Sequence, residues 1–260
     1  MLLAIDIGNT NIAFGIYQQG TWTDHWRVRT VHDKMPDEYA VLFGSLLGNS
    51  GLKMRDITQT VLCSVVPPLT DTFDRMSKKY MGKEPLIVGP GIRTGVRIRT
   101  DNPAEVGADL VANAVAAYTK FQSNCIVDFG TALTFTAVAV PGDLLGVAIA
   151  PGLNSAAAAL SSNTAQLPRV RLIPPSTAIG RNTTLSIQSG IVFGYIGLVE
   201  SLVDRMKEEL GSPVHVVATG GLAQVIAPLT DRFTEIDPWL TLEGLRMIAE
   251  RNVRDPDITV

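Results

Sequence analysis

One local pattern occurs twice in this chain, and it constrains the fold more than any other feature. The stretch Leu2-Leu3-Ala4-Ile5-Asp6-Ile7-Gly8-Asn9-Thr10-Asn11-Ile12-Ala13-Phe14-Gly15-Ile16-Tyr17 is an apolar run with one acid, a turn at Gly8-Asn9, and a second apolar run. Cys125-Ile126-Val127-Asp128-Phe129-Gly130-Thr131-Ala132-Leu133-Thr134-Phe135-Thr136-Ala137-Val138 repeats it, with Asp128 in the place of Asp6. β-Branched and aromatic residues around a Gly-containing turn predict a β-hairpin. A third strand follows each copy, Trp26 to Arg29 in the first and Leu145 to Ile149 in the second, and then a helix. Repetition of a whole strand-strand-strand-helix order predicts two related halves, 1–118 and 119–260.

The turn itself has chemistry. Gly8 can take positive φ without steric cost, so that successive N–H groups form an anion-binding nest. Thr10 and Asn11 add side-chain donors. Asp6, ending the first strand, is placed to face a metal ion bound to that anion. Two readings stand level on this stretch: a phosphate-and-magnesium site, and an ordinary hairpin whose Asp caps its turn.

Other segments fill in an α/β order. Pro36-Asp37-Glu38 opens a helix with Tyr39, Leu42, Phe43, Leu46 and Leu47 on one face. Val61 to Val66 and Pro85 to Val88 are apolar runs of the kind buried on both sheet faces, with a helix over 69–80 between them. Asn102-Pro103-Ala104-Glu105 has the form of a capped helix start, predicting a helix to about Lys120 with Gly107 in its second turn. In the second half a helix over Leu185 to Leu210 contains Gly190, Gly194 and Gly197. These predict close packing on another backbone, within the chain or across a subunit interface. Pro213 to Ala218 is a buried strand ending in Thr219-Gly220-Gly221. A Gly pair there admits a ligand to the backbone or simply makes a tight turn. Pro238 to about Asn252 is a last helix, followed by a polar tail.

Bulk properties narrow the function classes. Of the 260 residues 46% are apolar and only 6% aromatic, so Ala, Val, Ile and Leu must fill the core. A formal charge of −3 gives no basic footprint for nucleic acid. No apolar stretch approaches the roughly 20 residues that span a bilayer, and the start lacks the basic region of a signal peptide. Cys63 and Cys125, both in apolar runs, predict buried free thiols rather than a disulfide framework. These features predict a cytoplasmic protein. No G-x-x-x-x-G-K-[ST], G-x-G-x-x-G or H-E-x-x-H occurs, and no serine elbow. His25, His32 and His215 are scattered.

Taken in order, Asp6-Ile7-Gly8-Asn9-Thr10-Asn11, Gly107-Ala108-Asp109, Asp128-Phe129-Gly130-Thr131-Ala132, Ala150-Pro151-Gly152, Gly180-Arg181-Asn182-Thr183 and Thr219-Gly220-Gly221 resemble the type III pantothenate kinase family over nearly the whole chain. That family belongs to the acetate kinase, sugar kinase, Hsp70 and actin superfamily. The resemblance implies duplicated actin-like, ribonuclease H-like α/β domains, each a mixed sheet flanked by helices, with an interdomain cleft. It implies ATP-dependent phosphorylation of pantothenate, the opening step of coenzyme A synthesis.

Carried over by residue, the resemblance makes Asp6, Ile7, Gly8, Asn9, Thr10, Asn11, Ile12 and Ala13 the first phosphate loop, with Asp6 near Mg2+. Thr131 would contact ATP. Asp128 would ligate a monovalent cation, K+ or NH4+. Gly107, Ala108, Asp109, Leu110 and Thr183 would line the pantothenate pocket, and Asp109 would accept the hydroxyl proton. A homodimer whose partner completes the pocket is implied as well. Where the family usually has Arg after the acceptor acid this chain has Leu110, which lacks the forked guanidinium. Leu133 and Thr136 depart from the usual Thr and Asp. The alternatives are a non-catalytic nucleotide-binding regulator of the same fold and a kinase of another small alcohol.

Overall fold

The computed structural model describes residues 1–164, 166–211 and 213–253; the tail expected after the last helix lies, from residue 254, outside them. The chain forms two units. One comprises Met1–Val96, Asn102–Ala116 and the described residues from Thr241 on. The other comprises Arg97–Asp101 and Ala117–Leu240.

In the first unit β1 (Leu2–Ile7), β2 (Asn11–Gln18) and β3 (Thr21–Arg29) form an antiparallel meander. On the other side of β1, β4 (Gln59–Ser64) and β5 (Leu86–Ile87) pair in parallel, giving the order β3-β2-β1-β4-β5. Between β3 and β4 lies α1 (Pro36–Asn49), and between β4 and β5 lies α2 (Pro67–Met76). Pro67 and Pro68 therefore open this helix as well as ending the strand, because a missing N–H costs nothing in a first turn.

The second unit contains β6 (Arg97–Ile98), β7 (Asn124–Phe129), β8 (Ala132–Ala139), β9 (Asp143–Pro151), β10 (His215–Thr219) and β11 (Glu235–Ile236). Their order is β11-β10-β7-β8-β9-β6. Without β6, this is the first sheet again. β1, β2 and β3 have 6, 8 and 9 residues, and β7, β8 and β9 have the same lengths. Even the register slip recurs at the matching place, Ile16/Tyr17 in one sheet and Ala137/Val138 in the other. The duplication therefore extends to backbone irregularities that motif spacing does not reveal.

The remaining helices are α3 (Ala108–Phe121), α4 (Leu153–Ser162), α5 (Thr183–Leu210), α6 (Ala223–Ile226) and α7 (Leu240–Arg251). The expected start of α3 is corrected. Asn102 does cap, accepting from the Ala104 N–H, but the turn that it caps is an isolated 3-10 turn over Pro103–Glu105. Val106 is extended at φ −74°, ψ 120°, which interrupts the helical path. The Asn102 amide donates to the Glu105 carboxylate at 2.7 Å, so the two side chains satisfy each other.

The first core is aromatic at its centre. Phe14 of β2 stacks on Phe43 of α1 at 4.9 Å and meets Phe73 of α2 at 5.9 Å. Tyr39, Phe43 and Leu47 recur every fourth residue on the buried face of α1. Leu42 and Leu46, expected on that face, are only half-buried. Against α3, Gly244 of α7 brings the helices so close that a Cβ would enter the Ala112 backbone. In the second unit, Cys125, Val127, Phe129, Leu133 and Phe135 pack with Val192, Val199 and Val203 of α5.

α5 corrects one expectation. By length and composition it is apolar enough to cross a bilayer. Glycines and serines break its apolar run in the sequence, so the run looks short. A third of that apolar stretch is buried within the chain.

Replacing Phe14 with Ala should cost about 3–5 kcal/mol in urea unfolding. Val41→Ala, at a side chain 74% exposed on the outer face of α1, should stay within about 0.5 kcal/mol of the parent.

Candidate active site

Asp6 is the one half-buried residue in a strand otherwise closed to solvent, and Asp128 holds the same place in β7. In each case the strand bonds antiparallel to the next strand and parallel to a later one. Asp6 lies between Ala13 and Cys63, and Asp128 between Thr134 and Thr219. Ile7 and Ile12 point into the core and Ala13 is 5% exposed. These three can serve a ligand only through their backbone. Gly8, Asn9, Thr10 and Asn11 form the accessible part of the loop.

The basis expected for that loop is corrected. Gly8 is not among the residues with positive φ. Its N–H donates to the Asn11 carbonyl at 3.0 Å, and a Cβ on it would stand 3.0 Å from that oxygen. Glycine avoids crowding that carbonyl, and its N–H is used inside the turn. An anion would be met by the donors beyond it.

Beside Asp6 the Cys63 thiol donates to Oδ1 at 3.4 Å. Cys63 is fully buried. Burial first, then the charges of Asp6 and Asp109, push its thiol well above the ordinary range. A neutral thiol thus sits within the fields of both acids, and the first unit brings those acids into one neighbourhood.

Asp109 lies in the first turn of α3. Its Oδ1 accepts from the Leu110 N–H at 2.9 Å. Burial raises its carboxyl above the usual range, opposed by backbone N–H donors from Leu110 and Asp109 itself. Gly107 precedes the helix and its carbonyl accepts from Val111 at 3.1 Å. It is not in a second turn, as expected, but at the cap. A Cβ there would collide with the Asp109 carboxylate, so glycine leaves room for the acid to lie over the helix start.

In the second unit Gly220 directly follows β10 at φ +89°, where a side chain would strike both the Asp128 carboxylate and the Phe129 backbone. The Gly-Gly turn therefore admits the second acid as well as making a turn. The Thr131 carbonyl accepts from Gly152 N–H at 3.1 Å and from Ser155 Oγ at 3.0 Å, which leaves its side chain exposed. Across from Asp128 in register is Thr134, whose buried Oγ1 has no partner. Sequence reasoning did not identify Thr134, because orphaned hydroxyls carry no sequence signal.

Thr183 is the first residue of α5, after an Asn182 side chain that accepts from Leu185 N–H at 2.9 Å. With Leu160, Leu167, Ser186, Ile187, Gly190 and Ile191 it lines a cavity of about 290 Å³. A larger open groove on α1, about 650 Å³ and lined partly by Val28, Val41 and Leu46, contains none of the candidate residues. Among the described residues no group of three or more His, Cys, Asp or Glu could hold a metal. A cation would take many of its ligands from a bound phosphate or water.

Because burial raises the Asp109 pKa, its charge costs folding stability at neutral pH. The cost is absent below the unfolded carboxylate value and grows as pH rises through the folded one. Asp109→Asn should raise the thermal midpoint at pH 7 in metal-free buffer, and the gain should vanish near pH 3; scanning calorimetry at the two pH values checks it.

The family profile for type III pantothenate kinase matches residues 2–205. A type III pantothenate kinase from Geobacter sulfurreducens is 49% identical over 97% of this chain and 99% of its own length. One from Moorella thermoacetica is 48% identical over 97% of this chain and 100% of its own, and one from Anaeromyxobacter sp. (strain K) is 46% identical with the same coverage. Among solved structures, a protein described as a conserved Baf family transcriptional activator from Campylobacter jejuni matches with TM-score 0.60 at 18% identity, covering 96% of this chain and 98% of that one. The ethanolamine utilization protein EutJ from Carboxydothermus hydrogenoformans matches with TM-score 0.55 at 13% identity, over 95% and 89%. At these identities the structures speak to the fold alone, which is the duplicated actin-like α/β fold. The full-length matches, together with the family profile, show that this chain belongs to the type III pantothenate kinase family.

Proposed function

We propose that this chain performs its family's reaction, transfer of a phosphoryl group from ATP to the hydroxyl of pantothenate, with Asp109 holding that hydroxyl. The observation that carries the assignment is the Asp109 carboxylate: half-buried, raised by burial, and near the acid of the phosphate-loop strand. A binding protein has no need of such an acid.

A carboxylate cannot deprotonate an alcohol outright, because even raised it is a far weaker base than an alkoxide. In a loose transition state the proton leaves late. Asp109 orients the hydroxyl and takes its proton as the bond to phosphorus forms. Gly107, Ala108 and Leu110 are proposed to contact pantothenate around it, and Thr183 from its own cavity. Asn9, Thr10, Asn11 and Thr131 are proposed to meet ATP, with Asp6, Ile7, Gly8, Ile12 and Ala13 shaping the loop that presents the first three.

The oxygen donors fit the ions that the family implies. Asp6, a hard ligand at a strand end, would hold Mg2+ through the phosphates. Asp128 and the orphaned Thr134 hydroxyl would hold K+ or NH4+. The ions supply charge neutralisation to the transferring phosphoryl group.

We also read the chain as a homodimer. Among the described residues, a Cβ added at Gly190, Gly194 or Gly197 would meet nothing within 4 Å, which leaves room for a second backbone to approach. They fall on one exposed face of α5. A second copy covering that apolar face makes a membrane unnecessary. A formal charge of −3 gives no basic footprint for nucleic acid, and the buried free thiols Cys63 and Cys125 suit a cytoplasmic protein.

Purified protein should convert pantothenate to phosphopantothenate with ATP and Mg2+, and should lose that turnover when K+ is replaced by a large organic cation. Asp109→Asn should lower kcat by about 10²–10⁴ while calorimetry still detects ATP binding. Full activity in the Asn variant would refute the assignment. Gly194→Leu should convert a dimer to a monomer in light scattering; a wild-type monomer would end the dimer reading.

A further inference from the structure

The loop between β1 and β2 is supported from outside the hairpin by the residues that follow β3. Thr30 is 8% exposed. Its N–H donates to the Thr10 carbonyl at 2.9 Å, and its hydroxyl donates to the Gly8 carbonyl at 2.6 Å. The next residue is anchored as firmly. Val31 N–H donates to Tyr39 Oη at 3.1 Å, and Tyr39 Oη donates back to the Val31 carbonyl at 2.9 Å. Tyr39 is fully buried on α1 and lies 4.8 Å from the Phe73 ring. The loop is thereby tied through two residues to the aromatic core.

Peptide planarity gives this tie a direction. In a trans peptide the carbonyl and the following N–H point opposite ways. Holding the Gly8 carbonyl toward Thr30 therefore turns the Asn9 N–H away from it. Gly8 cannot itself donate outward, since its N–H is bonded to Asn11. Asn9 is the first loop N–H that can be presented to an anion.

We propose that Thr30 is a positioning residue for phosphate binding, whose hydroxyl fixes the Gly8–Asn9 peptide so that the Asn9 N–H faces the nucleotide. The proposal rests on the assignment of residues 6–13 as the ATP phosphate loop. Thr30 itself touches no phosphate. Tyr39 keeps Thr30 in place through Val31.

Thr30→Val preserves the shape and removes the hydroxyl; Thr30→Ser preserves the hydroxyl. Thr30→Val should raise both the KM for MgATP and the calorimetric Kd for MgATP about tenfold, leave the KM for pantothenate unchanged, and be rescued by Ser. A role in folding alone would lower the thermal midpoint and leave both MgATP constants unchanged, which overturns the proposal. Asp6→Asn measured alongside separates the two failures. If Asp6→Asn weakens ATP binding and Thr30→Val does not, the brace is wrong and the loop assignment stands. If neither weakens it, the loop assignment falls and the brace with it. Should Thr30→Val not fold, Tyr39→Phe replaces it, with a rise of about threefold expected in the same two constants and no rise counting against the proposal.

Discussion

Two of the three candidate acids, Asp6 and Asp128, depend on one constraint, a central strand with an antiparallel neighbour on one side and a parallel neighbour on the other. β1 lies between β2 and β4, and β7 lies between β8 and β10. Where strand order reverses, the carboxyl end of the strand is left open, and such switch points are where ligands reach the edge of an α/β sheet. Asp6 and Asp128 sit one residue before that end. Each is then surrounded by side chains small enough not to fill the opening. Ala13 and Cys63 flank Asp6, and Gly220 presses on Asp128. A longer side chain at any of these positions would fill the opening or displace the acid.

The chemistry and the stability of the first unit pull in opposite directions. Asp109 is burdened by burial, and the nearby Cys63 thiol stays neutral because two carboxylates and a closed environment oppose its ionisation. A neutral thiol can donate to Asp6 without adding a third negative charge. Backbone N–H donors at the start of α3 offset part of the burial of Asp109, and the helix dipole favours an anion there. The core carries the deficit. Phe14 of the hairpin's second strand meets Phe43 and Phe73 at 4.9 and 5.9 Å, so the hairpin is anchored in the aromatic core of that unit.

Much of this was readable from residue order. Strand, acid, glycine turn and strand, occurring twice, implied the duplication, and equal strand lengths in the two sheets bear it out. The buried thiols were also legible, because Cys63 and Cys125 lie in continuous apolar runs. Local rules failed where a specific contact or backbone angle, rather than a residue's general preference, decided the outcome. Gly8 is explained by the Asn11 carbonyl rather than by its own dihedral freedom. Asn102 does cap a turn, but Glu105 bonds its side-chain amide rather than its backbone N–H, Val106 ends the turn, and α3 begins anew at Ala108. The length of α5 was visible, yet its apolar character was hidden by the glycines and serines that interrupt its apolar run.

The sequence by itself determined the repeat, the α/β class, the acids at the strand ends and the family, because these follow from periodicity, turn chemistry and ordered motifs. Only the tertiary structure decided that Cys63 donates to Asp6, that Thr30 holds the Gly8 carbonyl and that Gly220 admits Asp128. Each of those contacts joins residues brought together by strand pairing across 22 to 92 positions. The physical reason is that a hydrogen bond or a steric clearance acts over a few ångströms of space, and chain order records no distance until the sheet has closed.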